Sequence, residues 1–320
     1  MAYYDVAVIG GGPAGLTAAA TLARQLHSVV VLDSKKYRNA KATGMYMVPG
    51  HEGKNPEDFR RESREGLSKY KTIEFHDVRV DKVEKKNDSH FLITDAVGKD
   101  WNFRKLLLAV GSSDIFPGIE GYESLWGERI FHCLFCKGYE EKGTQSAGVL
   151  AMAPIPLPTE MMVGMAVHAA ENASQLSENV TLYTQGNDAL TAALVPAVSQ
   201  KTKWTVEPRV IKRITKGDGE SVTLDFEDGG ASKDEKFLVH QPLTEPSGPF
   251  VQQLGLATTP MGDIQAEGPF YQTSVRGVFA AGDCMTMYKV IPGAISTGCN
   301  AAVGASTQIL SEMHGFPSPV

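Results

Sequence analysis

Positive charge is in short supply: 31 Lys and Arg face 37 Asp and Glu, a formal net charge of -6, and the cations are scattered. A chain so charged is not expected to have nucleic acid or an anionic membrane surface as its main partner. Long apolar runs are also missing, since none reaches the ~18 residues that a membrane span requires. The opening "MAYYDVAVIGGGPAG" has no basic n-region and no small-residue cleavage site after an apolar stretch, so no secretory signal is expected and the cytoplasm is the expected compartment. Cysteine is sparse, with four in 320 residues, too few for a disulfide scaffold. In a reducing compartment a close pair is more often catalytic or metal-binding than structural. Repeats and low-complexity tracts are absent. What is present is the composition of an ordinary globular protein, 42% hydrophobic and 21% charged, long enough to expect two domains.

The first segment reads strand, turn, helix, strand: "YYDVAVIG", "GGPAG", "LTAAATLARQL", "SVVVLDS". The near-continuous β-branched runs suit parallel strands covered on both faces. Residues 71–113 alternate short strand patterns with turn signals, which predicts a small antiparallel meander before the sheet resumes. Gly and Pro interrupt the pattern near 114–118 and again at 241–248. Between these breaks a second βα pattern starts at "SAGVLAMA", passes through an apolar helix near 159–176 and returns in "NVTLYTQG". The final block reads as a strand, a loop and a long helix.

Gly10-Gly11-Gly12-Pro13-Ala14-Gly15 fits G-x-G-x-x-G in the context that gives it weight: it follows a strand, opens a helix, and Asp33 ends the next strand. Gly10 permits the tight turn, Gly12 lets backbone N–H groups approach a pyrophosphate, and Gly15 allows close helix packing. Asp33 would accept hydrogen bonds from a ribose hydroxyl. The motif alone does not separate NAD from FAD.

"HCLFCKGYEEKG" (132–143) holds two cysteines at the Cys-x-x-Cys spacing. Zinc would need two more ligands, but Cys284 and Cys299 form no second close pair and the eight histidines show no complementary spacing. A redox pair is favoured, because this spacing allows a readily exchanged disulfide. Cys284 and Cys299 read as small packing residues. Lys137, directly after the pair, would favour thiolate but is a poor general acid or base. His132, directly before it, has a reference pKa near about 6.5 and suits proton transfer. Surface charge or packing beside a turn is the plainer reading of both.

"LLLAVGSSD", with Ala109 and Gly111, and "TSVRGVFAAGDC", with Gly282 and Asp283, resemble the two remaining signatures of the two-dinucleotide-domain flavoproteins. The resemblance implies FAD, with Asp283 on a ribityl hydroxyl and a helix starting near Val290 and Ile291 whose N-terminus faces the isoalloxazine. It also implies cofactor contacts at Pro13, Ala14, Ser34, Arg38, Asn39 and Val80. The position of the Cys pair is similar to that in low-molecular-weight thioredoxin reductases. There the second cysteine, here Cys136, faces the flavin, and the first, here Cys133, exchanges with substrate. The implied fold class is α/β with two Rossmann-like (three-layer ββα) dinucleotide-binding-type domains. An FAD domain would take 1–115 and 246–320, and a degenerate NADPH-type domain 116–245.

In an NADPH-using reductase the second domain carries its own glycine loop and, after its second strand, a basic cluster for the 2′-phosphate. Here the first place reads "LAMAPIPLPTEMM", with prolines at 154, 156 and 158, and the second, "YTQGNDA", has no Arg or Lys. Proline offers no N–H to a pyrophosphate. The "HCLFCKGYEEKG" stretch, "YRNAK" (37–41), the degenerate "GVLAMAPI" and "FYQTSVRGVFAAGDC" resemble the gliotoxin-type dithiol oxidases of fungal epipolythiodiketopiperazine biosynthesis, which lack a nicotinamide site. That resemblance implies a homodimeric FAD enzyme that passes electrons from a small dithiol to Cys133/Cys136, FAD and O2, releasing H2O2. A reductase fed by NADPH or a protein donor is the rival, as is a self-protection flavoprotein that binds a dithiol without turnover. The loop "ATGMYMVPGHEGKNP" (42–56) reads either as a substrate wall or as ordinary packing.

Overall fold

The computed structural model describes residues 3–153 and 155–320. The chain opens with β1 (Tyr3–Ile9), α1 (Pro13–Ala23), β2 (Val29–Leu32), α2 (Pro56–Leu67), β3 (Ile73–His76), β4 (Val80–Asn87), β5 (His90–Asp95) and β6 (Asp100–Leu108). It continues through β7 (Ser112–Ile115), α3 (Tyr122–Leu125), β8 (Ile130–Phe131), β9 (Thr144–Leu150), α4 (Thr159–Ala173), β10 (Ser177–Tyr183), α5 (Asp188–Ser199) and β11 (Trp204–Glu207). Then come β12 (Ile211–Lys216), β13 (Val222–Phe226), β14 (Lys233–Glu235) and β15 (Phe237–Val239). β16 (Leu243–Pro246), α6 (Phe250–Leu254), β17 (Ala266–Glu267), β18 (Gln272–Thr273), β19 (Val278–Ala280) and α7 (Ile291–His314) complete it.

Two compact units result, one from the chain up to Ser113 together with Thr244–Val320, the other from Asp114–Leu243. The first is organised on a parallel sheet of order β19-β6-β1-β2-β3. β1 is central because it is buried on both faces from Val6 to Ile9. Its alternate side chains divide the unit into layers. Val6 and Val8 pack with Leu22 of α1 and Ala301 and Ala305 of α7. Ala7 and Ile9 pack with Val83, Phe91 and Phe103 of the β4–β5–β6 meander. The sequence expectation for 71–113 needs correction here: β3 pairs in parallel with β2, and the antiparallel meander starts only at β4. Four buried alternating residues, Val29 to Leu32, let β2 serve both neighbours, and short, half-buried β3 closes the edge.

The second unit repeats the three-layer plan. Its parallel sheet has the order β11-β10-β9-β15-β8, with α4 and α5 on the face of Val149, Val180, Leu182 and Val239. The β12–β13–β14 sheet covers the other face through Ile214, Leu224 and Phe226. β7 and β16 pair as a two-stranded ribbon at the two points where the chain passes between the units. Among the described residues, no helix is long and apolar enough to cross a membrane.

Candidate active site

In the first unit, register places the sequence motifs along one sheet edge. Ile9 is level with Leu32 and Leu108, and Leu108 with Ala280. The residues that follow, Gly10–Gly12, Asp33, Ala109–Gly111 and Gly282–Asp283, therefore gather at the carboxyl ends of neighbouring strands, the ligand-binding edge of open α/β sheets. The turn between β1 and α1 is as tight as the motif predicts. A Cβ on Gly10 would lie 2.1 Å from the Ala109 carbonyl oxygen, at a φ of +112°, whereas one on Gly12 would meet nothing within 4 Å. The two glycines thus do different work: Gly10 lets the backbone pack, and Gly12 keeps a space open.

Helix α1 begins at Pro13 with Gly12 as N-cap and no side-chain cap. Helix α7 begins at Ile291 with Val290 as N-cap, also without a side-chain cap. The two starts converge on Gly282, where an added Cβ would lie 3.1 Å from Ala14 Cβ and 3.6 Å from Ala294 Cβ. Uncapped first-turn N–H groups from two helices leave this corner suited to negative charge. Ser112 donates to the Asp283 carbonyl at 2.7 Å, and Lys289 donates to the same carbonyl at 2.9 Å while pairing with buried Asp263. The Gly-Asp loop is fixed from both sides.

Asp33 is buried beside Gly11, accepts from the Lys35 N–H at 3.0 Å and accepts the Tyr37 hydroxyl. Burial first, and then that bond, raise the Tyr37 pKa well above the usual phenol range. The Arg60 guanidinium stacks over the Tyr37 ring at 3.8 Å and donates to Asn39 at 3.1 Å. Tyr37 and Arg60 escaped the sequence reading, which took Ser34, Arg38 and Asn39 from this stretch. Ser34 is exposed, while Arg38 and Asn39 are half-buried. Val80 has its side chain in the core, which leaves its backbone for any cofactor contact. The 42–56 loop is tied by a Met45–Lys54 bridge, and Met45 and Val48 are buried.

In the second unit, Cys133 and Cys136 form a disulfide with a Cα–Cα distance of 5.2 Å, in the loop after β8. Both are half-buried. Leu134 turns inward against the helix-side core, and Phe135 turns outward, 63% exposed. The Cys133 carbonyl accepts from the N–H groups of Cys136 and Lys137, at 3.2 and 3.1 Å. The Cys136 N–H also lies 3.1 Å from Cys133 Sγ, which stabilises charge on that sulfur. The Lys137 ammonium donates to the Gly127 carbonyl at 3.1 Å and lies 5.1 Å from the Phe131 ring centroid. Its amine thus ties the redox loop to the α3–β8 turn. His132 rests beside Trp126, ring centroids 5.9 Å apart. Cys284 is a core thiol, donating to the carbonyls of Leu108 and Ala281 and pushed up to about 12 by burial; Cys299 is half-buried. Among the described residues, no group of three or more His, Cys, Asp or Glu could hold a metal.

The corresponding corner of the second unit differs from the glycine turn. β9 ends at Leu150 and α4 starts only at Thr159, with Pro158 as N-cap. Pro154 lies outside the described residues. After β10, the Gln185 side chain accepts from the Ile211 N–H at 2.9 Å and donates to the Ile211 carbonyl at 3.1 Å, so backbone satisfaction occupies this turn.

A two-unit ββα architecture, a double-helix anion corner and a Cys-x-x-Cys disulfide define a flavin-dependent disulfide oxidoreductase. The chain belongs to the pyridine nucleotide-disulphide oxidoreductase family, whose signature matches residues 4–298. It is 42% identical to thioredoxin reductase tcpT of Claviceps purpurea, over 98% of this chain and 97% of that one. With thioredoxin reductase aclD of Aspergillus oryzae it shares 41% identity, over 96% of each. An oxidoreductase from Agrobacterium tumefaciens, 30% identical, superposes with a TM-score of 0.84 over 97% of this chain and 99% of that one. The protein binds FAD, and the first unit fits it. The open space at Gly12 and the uncapped start of α1 suit the pyrophosphate, and the uncapped start of α7 suits the electron-rich ring.

Proposed function

We propose that the chain is an FAD-dependent dithiol oxidase that closes a disulfide in a small sulfurised, diketopiperazine-like metabolite. What carries this reading is the second unit's β9–α4 turn. It has no glycine, takes Pro158 as its N-cap residue and is followed after β10 by a stretch without a cation, so it offers neither the glycine turn that admits a pyrophosphate nor a partner for a 2′-phosphate. A protein with a disulfide and a flavin but no hydride donor is suited to taking electrons from thiols.

The residues divide the work as follows. A substrate thiolate attacks Cys133 Sγ, the Cys133–Cys136 bond breaks, and Cys136 leaves as a thiolate. The second substrate thiolate attacks the substrate sulfur now joined to Cys133. The substrate disulfide forms, and Cys133 departs as a thiolate facing the Cys136 N–H. His132 accepts one of the two thiol protons and solvent takes the other. FAD held by the first unit would supply the two-electron acceptor that lets the Cys133–Cys136 bond re-form, with O2 as the terminal oxidant and H2O2 as its product. Exposed Phe135, between the two cysteines, and exposed Tyr139, three residues after the second, suit an apolar substrate body. The enzyme would act as a homodimer, which light scattering would show.

The relatives' name, thioredoxin reductase, favours a second reading, a disulfide reductase fed by NADPH. Anaerobic stopped flow separates the two. Bleaching of the flavin by a small dithiol, followed by peroxide in air, supports the oxidase. Bleaching by NADPH at turnover rates rules it out.

A further inference from the structure

The second unit contains a half-open crevice formed by the ends of β9 and β15 and the first turns of α4. Val149, Ala151, Met152, Met162, Met165 and Ala166 form its apolar wall, and no charged side chain lines it among the described residues. One polar side chain stands out. His240, 4% exposed, lines the crevice directly after β15. Its Nδ1 is taken by the Tyr122 hydroxyl at 2.7 Å, whereas Nε2 is buried and makes no hydrogen bond to any described residue. A buried ring nitrogen without a partner is a rare and costly arrangement in a folded protein.

With the Tyr122 hydroxyl donating to Nδ1, the proton of the neutral ring sits on Nε2, and the crevice then offers a donor. Burial pulls the His240 pKa down to about 4, opposed by the Met152 backbone, and the ring is neutral at physiological pH. Such a site discriminates by chemistry. It has no cation for a phosphate, and burying a charge against Met and Ala is unfavourable. Three methionines give a wall that adapts to irregular apolar shapes.

We infer that this crevice, in the position a dinucleotide takes in a two-nucleotide enzyme, is a binding site for a small, uncharged, mostly apolar molecule whose carbonyl oxygen accepts from His240 Nε2. The site stands independently of the oxidase reading, since it uses neither cysteine and is read without turnover. It also lies next to the redox loop. The backbone N–H of His240 donates to the Phe131 carbonyl at 3.0 Å, and Leu134 packs in the same cluster as Met162 and Ala166.

The test is methyl NMR on the full FAD-bound protein labelled at methionine Cε, titrated with cyclohexanone and with methylenecyclohexane, which has the same shape but no acceptor. Saturable shifts of the Met152, Met162 and Met165 methyls are expected, with the ketone binding about five- to tenfold more tightly, the equivalent of one hydrogen bond. His240→Phe should make the two probes equal. Because that change also removes the Tyr122 contact, Met165→Glu at the half-exposed rim provides a second variant and should abolish both titrations. Equal affinity of the probes for the unaltered protein, no saturable shift at these methyls, or displacement of both probes by NADPH would each overturn the proposal.

Discussion

The backbone N–H of Cys136 faces the sulfur of Cys133 at 3.1 Å. Because the donor is backbone, it survives replacement of the Cys136 side chain. In reduced Cys136→Ser protein, Cys133 should therefore alkylate faster at neutral pH in the folded chain than in the urea-unfolded chain. Iodoacetamide kinetics followed by mass spectrometry compare the two rates. A folded rate no higher than the unfolded one would show that the contact does not activate the sulfur. Cys284, buried and held protonated, should stay unlabelled until the chain unfolds.

Gly10 and Gly12 should fail in different ways. Gly10→Ala places a methyl against the Ala109 carbonyl at a left-handed φ and should lower stability by more than about 2 kcal/mol. Gly12→Leu has room in the fold but fills the cofactor space. Its circular dichroism should stay native while FAD affinity falls at least about tenfold by fluorescence titration. Full FAD retention in Gly12→Leu would remove the pyrophosphate from this corner.

Lys137→Gln should cost about 1 kcal/mol in urea unfolding, the worth of its bond to the Gly127 carbonyl. The pH profile of dithiol turnover should not move. A displaced profile would return Lys137 to the proton path.

His240 makes stability depend on pH. Its folded pKa of about 4 lies below the unfolded value near 6.5, so as pH falls the unfolded chain takes up the proton first. The contribution is complete above about 6.5 and shrinks as pH drops towards 4, by roughly 3 kcal/mol in all. Urea unfolding at several pH values should show this loss, and His240→Gln should flatten that part of the curve. An unchanged slope in the variant would assign the acid sensitivity elsewhere.

The sequence announced most of the first unit, because its signals are local. A glycine turn between a β-branched strand and an alanine-rich helix has few other solutions, and β19 and α7 follow the same grammar. β3 was read less well, since strand pairing depends on which neighbours the sheet brings together. Lys137 next to the cysteines suggested chemistry, and its amine also reaches back to Gly127, a contact invisible in a linear reading. His240 was missed for the converse reason. A lone histidine ending "FLVH" carries no motif, and only Tyr122, far away in the chain, reveals which of its nitrogens is occupied. The missing glycines of the β9–α4 turn were legible, whereas the crevice that replaces them was not.

The first unit is assembled from both ends of the chain, with β19 (Val278–Ala280) pairing beside β6 (Asp100–Leu108). On the ribosome, the whole intervening unit and its cysteine pair emerge while the flavin corner still lacks Gly282, Asp283 and α7. The flavin corner is therefore completed only after the residues of the second unit have been made.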